Sequence, residues 1–220
     1  MLTTISLLLE AGTAPIADVF DKLAMTPPIL DTNLFAVPES GIRFAGPAYT
    51  VSGELRSWER GGDRDKLAAI DGMYEGVVPV WAGNDISGVC CFGDLLAEAM
   101  KARGCAGVVV DGGIRDFAHL RNLQLPMMVR YRTPAQAIGR WKVSSYQMAI
   151  EVRGGLQEQV RVEPGDVVVA DDDGVIVVPA SIAEEIAQQA HEWAGKDSRA
   201  REEIRRGMPL LTALETFGHL

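Results

Sequence analysis

The chain has 220 residues, of which 47% are hydrophobic and 23% charged, so it is long enough to bury the core of one domain. Its net charge of −9 excludes the broad basic face that nucleic-acid binding requires. An apolar run at 5–9 has no basic residues before it and is too short for a signal peptide or a membrane span, so neither is predicted.

Two groups of residues that often mark a function are interpreted here as structural. A group of arginines near the C-terminus alternates with Glu202 and Glu203, which predicts a solvated, salt-bridged helix face. These arginines are Arg199, Arg201, Arg205 and Arg206. The cysteines lie in apolar segments without the spacing of metal ligands, so we expect buried, reduced thiols and a cytoplasmic protein. They are Cys90, Cys91 and Cys105.

Four elements are predicted in the first part of the chain: a helix over 15–23, a strand over 44–51, a helix over 65–73 and a strand over 77–81. Thr13 is expected to cap the first helix, and the pair Pro27-Pro28 follows its end. Gly46-Pro47 places the first strand at an edge or a bend of its sheet. A polar loop at 83–88 then leads to the central segment.

The central segment alternates helices and strands: a helix over 94–103, a strand over 106–110, a helix over 115–122 and a strand over 126–130. Asp94 is expected to cap the first of these helices and Gly104 to end it. The strand over 106–110 is wholly apolar, which is typical of a sheet buried on both faces. Asp111-Gly112-Gly113 is predicted to be a turn. Such alternation is the local pattern of an α/β fold.

The last part of the chain changes character. Short β-branched strands are predicted over 148–152, 159–162, 167–170 and 175–178. The turns between them are 164–166 and 171–174, and the aspartates of the second turn are interpreted as a hairpin rather than a metal site. Ser181 and Glu184 predict a capping box for a helix to about 193, before a final helix that ends at 207–209. We therefore expect one domain over 1–220 with a mixed sheet and a C-terminal helical extension from about 181.

Two helix starts carry the residues of a candidate site. The first is Gly93-Asp94-Leu95-Leu96, whose backbone N–H groups and partial positive charge suit a small carboxylate. The second carries Arg115, a planar fork for the same anion, and Asp116, a ligand for a hard divalent cation. Together they predict the stabilisation of an enolate, and thus carbon–carbon bond cleavage on a small 2-oxo acid. The alternative is structural, since Gly-Asp often only caps a helix and Arg-Asp often forms a surface ion pair.

The runs that carry these residues resemble a known family. Residues 93–97 and 102–116 are closely similar to the RraA-like family, and the resemblance extends to 46–51, 164–166 and 171–175. The family includes the class II 4-hydroxy-4-methyl-2-oxoglutarate/4-carboxy-4-hydroxy-2-oxoadipate aldolases and the regulators of ribonuclease E activity. The resemblance implies a swivelling β/β/α domain that assembles as a trimer or a pair of trimers, with the site between subunits.

The resemblance also implies roles for the site residues. In the aldolases, the residue matching Arg115 binds the pyruvyl group, and the residue matching Asp116 ligates Mg²⁺ or Mn²⁺ largely through water. The N–H groups matching Leu95 and Leu96 receive the carboxylate, and the residue matching Asp94 supports the metal-bound waters. The implied activity is a lyase that releases pyruvate from a 4-hydroxy-2-oxo acid, with oxaloacetate decarboxylation as a side activity. A regulator that binds a protein partner is the alternative, because the regulators of this family can also keep the residues that match Arg115 and Asp116.

Other parts of the site are left open by the sequence. The aldolases add an acidic residue from a neighbouring subunit, for which the candidates are Asp197, Glu192 and Glu202. His119 lies one turn after the arginine and is either an additional site residue or an exposed surface histidine. The segments 84–85 and 137–146 depart from the aldolase pattern, so the resemblance does not identify the substrate.

Overall fold

A mixed sheet forms the centre of the protein in the computed structural model, which describes residues 2–58, 61–83 and 86–218. The strands of the described residues are β1 (Phe35–Val37), β2 (Phe44–Leu55), β3 (Val78–Ala82), β4 (Cys90–Phe92), β5 (Val108–Ile114), β6 (Met127–Arg132), β7 (Trp141–Tyr146), β8 (Ile150–Arg153), β9 (Gln159–Val162), β10 (Val167–Asp171) and β11 (Gly174–Val178). Their helices are α1 (Leu2–Ala11), α2 (Thr13–Lys22), α3 (Arg64–Asp71), α4 (Asp94–Ala102), α5 (Phe117–Leu120), α6 (Ala183–Arg205) and α7 (Leu210–Phe217).

The order of the strands combines a parallel centre with antiparallel edges. The main path is β1-β6-β5-β3-β2-β10-β11, while β4 also pairs with β5 and β7 with β2. The pairs among β2, β3, β5 and β6 are parallel, as is the pair of β4 with β5. The other pairs of this sheet are antiparallel, and β8 and β9 form a separate hairpin. The predicted α/β fold with a mixed sheet is confirmed.

Both faces of the central strands are covered, because successive side chains of a strand point to opposite faces. Val108 and Val110 of β5 join the cluster that includes α3, α4 and α5, whereas Val109 joins the cluster that includes β8 and β9. The predicted burial of this strand on both faces is thus confirmed. A third cluster packs α1, α2 and α6 against β10 and β11. The thiols of all three cysteines are buried and free, as expected.

The N-terminal prediction needs correction. The apolar run at 5–9 lies within α1, and α2 begins at Thr13 itself, with Gly12 as its N-cap. Thr13 does not cap the helix, because its hydroxyl donates to Asp171 Oδ1 at 2.6 Å and its backbone N–H to Oδ2 at 2.8 Å. Thr13 therefore bonds to Asp171, which is distant in the chain, and not to the backbone at the start of α2 as the local capping rule predicts. Asp171 opens the turn between β10 and β11, so the predicted hairpin is confirmed.

The predicted turn at Asp111-Gly112-Gly113 is wrong. These residues continue β5, in which Gly113 is paired with Cys90 of β4. A Cβ at Gly113 would lie 2.3 Å from Cε2 of Tyr131 on β6, so this glycine permits a close contact with the neighbouring strand. The helix predicted over 115–122 shortens to α5, since residues 115–116 precede the helix and residues 121–122 follow it.

The C-terminal helices also differ from the prediction. Ile182 is the N-cap of α6 and no side chain caps this end, so the predicted capping box of Ser181 and Glu184 is wrong. The helix does not end at 193 but continues to Arg205, and α7 follows it. Gly195 does not interrupt α6, since glycine in a helix costs only about 1 kcal/mol and the packing of α6 against α1 and α2 offsets this. Among the described residues no helix has the length and hydropathy needed to cross a membrane.

Candidate active site

The site lies where two parallel strands end side by side. β4 and β5 are paired through Phe92 and Ile114, and each strand leads directly into one of the predicted site segments. The start of α4 and the residues Arg115 and Asp116 consequently meet at one end of the sheet. Ligands favour this end of open α/β sheets, because the loops and helix N-termini that follow the strands open there. The structure thus brings together the two segments that the sequence selected.

One carboxylate oxygen connects these segments. Oδ2 of Asp116 accepts the backbone N–H of Asp94 at 3.2 Å and the Nε–H of Arg115 at 3.2 Å. A helix N-terminus and a guanidinium therefore aim at the same point, and a carboxylate oxygen fits between them. The side chains of Arg115 and Asp116 are 40% and 37% exposed, so both are accessible to a small ligand.

Two backbone features permit this contact. Gly93 has no side chain, and a Cβ there would lie 2.2 Å from Oδ2 of Asp116 and 2.9 Å from Nε of Arg115. Asp116 has φ 58° and ψ 35°, a left-handed conformation that non-glycine residues rarely adopt and that aspartate tolerates better than most. Such backbone conformations cluster at functional sites, where the surrounding structure holds them.

Asp94 and Leu95 are arranged differently from the prediction. The N-cap of α4 is Gly93, and Asp94 is the first helical residue instead of the cap. Oδ1 of Asp94 accepts the backbone N–H of Leu95 at 2.7 Å, so this donor is already engaged within the chain. A substrate carboxylate can use the Leu95 N–H only when the Asp94 side chain turns away. The carboxylate still favours the N-terminus of α4, where it complements the helix dipole.

A cavity of about 230 Å³ opens beside these residues. The start of α4 forms one wall, and the basic side chains of Arg115 and Lys66 lie on its lining together with Gln136 and Ile138. Arg115 also borders a neighbouring depression, and Asp116 lines that depression and not the cavity. Arg115 therefore separates the space nearest Asp116 from the cavity beside α4.

Lys66 is the site residue that the sequence interpretation missed. It is only 7% exposed, although lysine is among the residues least often buried. A signal was present, because Lys66 occupies the first position of an i, i+3, i+4, i+7 pattern whose other members are apolar: Ala69, Ile70 and Met73. A lysine on the buried face of a helix requires a specific partner.

Burial disfavours the ionised form of the two thiols near the cavity. Cys90 and Cys91 both line it, and burial raises the pKa of both thiols, that of Cys91 to about 12. Since the thiolate is the reactive form of cysteine, a raised pKa lowers the share of that form at neutral pH for both side chains. Among the described residues that line the cavity, the charged ones are therefore the stronger candidates for a chemical role.

Other candidate residues lie apart from the cavity. His119 is half exposed and pairs with Glu98 at 2.9 Å, which favours the surface interpretation. The three acidic candidates Asp197, Glu192 and Glu202 lie on α6. None of them is among the described residues that line the cavity. This helix packs on α1, α2 and α7. The departures expected at 84–85 lie outside the described residues, whereas Ala137 of the second departing segment lines the cavity.

The donors fit a divalent cation held largely through water. The described residues contain no group of three or more side chains able to hold a metal. Mg²⁺ commonly keeps several waters and takes only one or two carboxylates, so Asp116, which contacts the backbone of Asp94 at the start of α4, could serve as such a ligand. One oxygen of Asp116 is already bonded to Asp94 N–H and Arg115. This donor set suits Mg²⁺ or Mn²⁺ better than a metal that needs a complete protein cage.

Comparisons with known proteins identify the family. Residues 13–177 match the RraA-like family, described as Aldolase/RraA. The "Putative 4-hydroxy-4-methyl-2-oxoglutarate aldolase" of Halalkalibacterium halodurans is 34% identical over 161 residues, which are 71% of this chain and 69% of that protein. Protein DlpA of Legionella pneumophila subsp. pneumophila is 24% identical over 96% of this chain, which spans only 33% of DlpA.

A solved structure agrees with this assignment. The crystal structure of Streptomyces coelicolor RraAS2, described as an unusual member of the RNase ES inhibitor RraA protein family, superposes with a TM-score of 0.76 and is 29% identical. The superposition covers 94% of this chain and 96% of that one. With a matched segment that includes both site segments and the strands of the described central sheet except for the last residue of β11, the chain belongs to the RraA-like family.

Proposed function

We propose that this protein is a divalent-metal-dependent lyase that cleaves a 4-hydroxy-2-oxo acid and releases pyruvate. The observation that carries the proposal is the convergence of the Asp94 N–H and the Arg115 guanidinium on one carboxylate oxygen. The carboxylate or the enolate oxygen of a 2-oxo acid would take the place of this oxygen when the Asp116 side chain turns away from the two donors. The 34% identity to a protein named as an aldolase supports the same chemistry.

The reaction needs charge stabilisation at one oxygen. Loss of the 4-hydroxyl proton lets the oxygen electrons form a new carbonyl at C4, and the electrons of the C3–C4 bond move into a C2–C3 enolate. Arg115 holds that enolate by charge and hydrogen bonding, and a proton added at C3 then gives pyruvate. Mg²⁺ or Mn²⁺ bound through Asp116 would supply further neutralisation of the enolate and acidify a nearby water. Oxaloacetate decarboxylation forms the same enolate, so we propose it as a side activity.

A coupled assay for pyruvate tests the proposal. The protein is incubated with Mg²⁺, Mn²⁺ or EDTA and a panel of 4-hydroxy-2-oxo acids that differ at C4, and oxaloacetate is measured in parallel. We expect pyruvate from at least one member of the panel and its loss in EDTA. No release from any member with either metal would refute the lyase, and release that is indifferent to EDTA would refute the metal dependence.

The site is proposed to be shared between subunits of a homotrimer or a pair of trimers. A cation held mainly through water needs further carboxylates that orient its waters, and loss of one typically costs about 10- to 100-fold in affinity or activity. We propose Asp197 of a neighbouring subunit for this role, ahead of Glu192 and Glu202. Mixing inactive Asp116→Asn protein with inactive Asp197→Ala protein should restore part of the activity. No restoration, or a monomer in light scattering, would contradict a shared site.

The second candidate function is a regulator that binds another protein. The likeness to RraAS2 over 94% of the chain favours it, because that protein is described as a member of an RNase inhibitor family. The two functions differ in what they need from the site. A lyase loses its function when Arg115 is changed, whereas binding of a protein partner elsewhere on the surface does not depend on this residue.

A further inference from the structure

Lys66 is a buried cation at the edge of the cavity. Its Nζ donates to the carbonyl oxygen of Cys91 at 2.6 Å and lies 4.8 Å from the ring centroid of Trp141. The residue is 7% exposed and lines the same cavity as Arg115. An ammonium group has three N–H donors, and the carbonyl accepts one of them. Its position therefore leaves donor capacity at the wall of a cavity that Arg115 also lines.

The carboxylate on the same helix does not neutralise this lysine by an ion pair. Oδ1 of Asp63 accepts the backbone N–H of Lys66 at 3.2 Å, and Oδ2 accepts the backbone N–H of Val143 at 3.0 Å. Asp63 thus caps α3 and ties it to β7. Within the described part of the chain, the hydrogen-bond acceptor of Nζ is a neutral carbonyl and no carboxylate forms an ion pair with it. A buried cation without a charged partner is costly unless a ligand completes it.

We propose that Lys66 is a substrate-binding residue whose ammonium donates to an anionic oxygen of the small acid held in this cavity, across from Arg115. The inference rests on the proposed function, because the acid in question is the 2-oxo acid of the lyase reaction. Two cations and the N-terminus of α4 then surround the ligand. Arg115 provides a fixed fork, whereas Lys66 provides a point charge anchored by Cys91 and Trp141.

A pH dependence distinguishes this role from a structural one. Burial lowers the pKa of Lys66, as does Arg115, while Cys90, Cys91 and Asp63 oppose the shift. These are the charged and titratable groups that face the amine from its own helix, from β4 and from the end of β5. A bound anion favours the ammonium form, so binding should take up a proton wherever the free amine is partly neutral. Affinity for an anion should accordingly fall as the pH rises toward 10.5, the ordinary value for lysine.

Oxalate, a planar dianion that resembles the enolate, is the probe. Its binding to the protein with Mg²⁺ is measured by calorimetry from neutral pH upward for wild type and Lys66→Met. Lys22→Met is the matched control, because Lys22 also donates to one acceptor and lies over a tryptophan ring, yet lies outside the cavity. We expect Lys66→Met to weaken oxalate binding about 10- to 100-fold, as loss of a charged hydrogen bond does, and Lys22→Met to leave it unchanged.

The wild-type protein offers a second measurement that does not depend on the folding of a variant. Titrations in buffers of different ionisation enthalpy should reveal proton uptake on oxalate binding at alkaline pH, and Lys66→Met should lack it. Equal affinity of wild type and Lys66→Met, absent proton uptake in wild type, or no oxalate binding at all would overturn the assignment. Oxalate binding that depends on Lys66 without pyruvate release from any 2-oxo acid would refute the lyase alone and support Lys66 as an anion ligand.

Discussion

Replacing Gly93 by alanine should separate catalysis from folding at this site. The added Cβ would lie 2.2 Å from Oδ2 of Asp116 and 2.9 Å from Cγ and Nε of Arg115. Gly93 itself has φ −133° and ψ −157°, an extended conformation that any residue adopts, so the substitution introduces no backbone strain. The whole effect of the methyl group therefore falls on the two side chains that are proposed to perform the reaction.

The expected magnitudes follow from these distances. To reach ordinary van der Waals separation, the carboxylate of Asp116 must move by about 1 Å or more. A displacement of that size in a catalytic group costs about 100-fold in rate, so kcat/KM should fall by about that factor. The free energy of unfolding should fall by about 1 kcal/mol or less, because both side chains are more than a third exposed and can rotate away. This corresponds to a decrease in Tm of about 2–4 °C.

The assay compares pyruvate release with thermal unfolding in the same preparations. Gly61→Ala is the control, because a Cβ at Gly61 would meet no atom within 4 Å. This variant should retain its activity and its Tm. If Gly93→Ala kept full activity, the contact of Asp116 with the start of α4 would have no catalytic role. If it failed to fold, Gly93 would be a structural residue, and the reasoning from two mobile side chains would be wrong.

Three further predictions concern the charged residues. Arg115→Lys keeps the charge but loses the bidentate fork, so oxalate inhibition should weaken at least about 10-fold; unchanged inhibition would remove Arg115 from the anion site. Asp116→Asn retains a residue that tolerates a positive φ, so metal-dependent turnover should disappear while circular dichroism and Tm stay near wild type; residual Mg²⁺-stimulated activity would exclude Asp116 as the ligand. Because burial lowers the pKa of Lys66, the folded state binds fewer protons than the unfolded one below pH 10.5, so unfolding free energy should rise with pH toward that value. Urea unfolding should show that Lys66→Met loses this rise, and an identical pH dependence in both proteins would contradict it.

The parallel strands β2, β3, β5 and β6 could be predicted from the sequence because their segments have strong local signals. The strand over 106–110 consists of apolar residues, and in the structure its valines alternate between two cores. The turn at 171–174 has the residues that a hairpin requires, and β10 and β11 pair across it. The structure of both segments is determined by the pattern of apolar side chains and by the residues of the turn. Both of these can be read from the sequence.

Features that depend on residues distant in the chain could not be predicted from the sequence. Gly112 and Gly113 have the composition of a turn, yet the pairing of β5 with β4 and the contact with Tyr131 keep them extended. Thr13 has the composition of a helix cap, yet Asp171 binds its side chain. In each case tertiary contacts override a local preference, which no pattern within ten residues reveals.

The residues near the candidate site whose structure differs from the sequence prediction have one physical property in common. Asp116 adopts a left-handed conformation and Lys66 occupies the apolar face of a helix, and each arrangement costs stability by itself. Gly113, in a strand interior, also lacks the side chain that strand packing favours. All three lie at or near the end of the sheet where β4 and β5 terminate. Local rules are often violated where function constrains the chain, so the position of these three residues supports the proposed site at this end of the sheet.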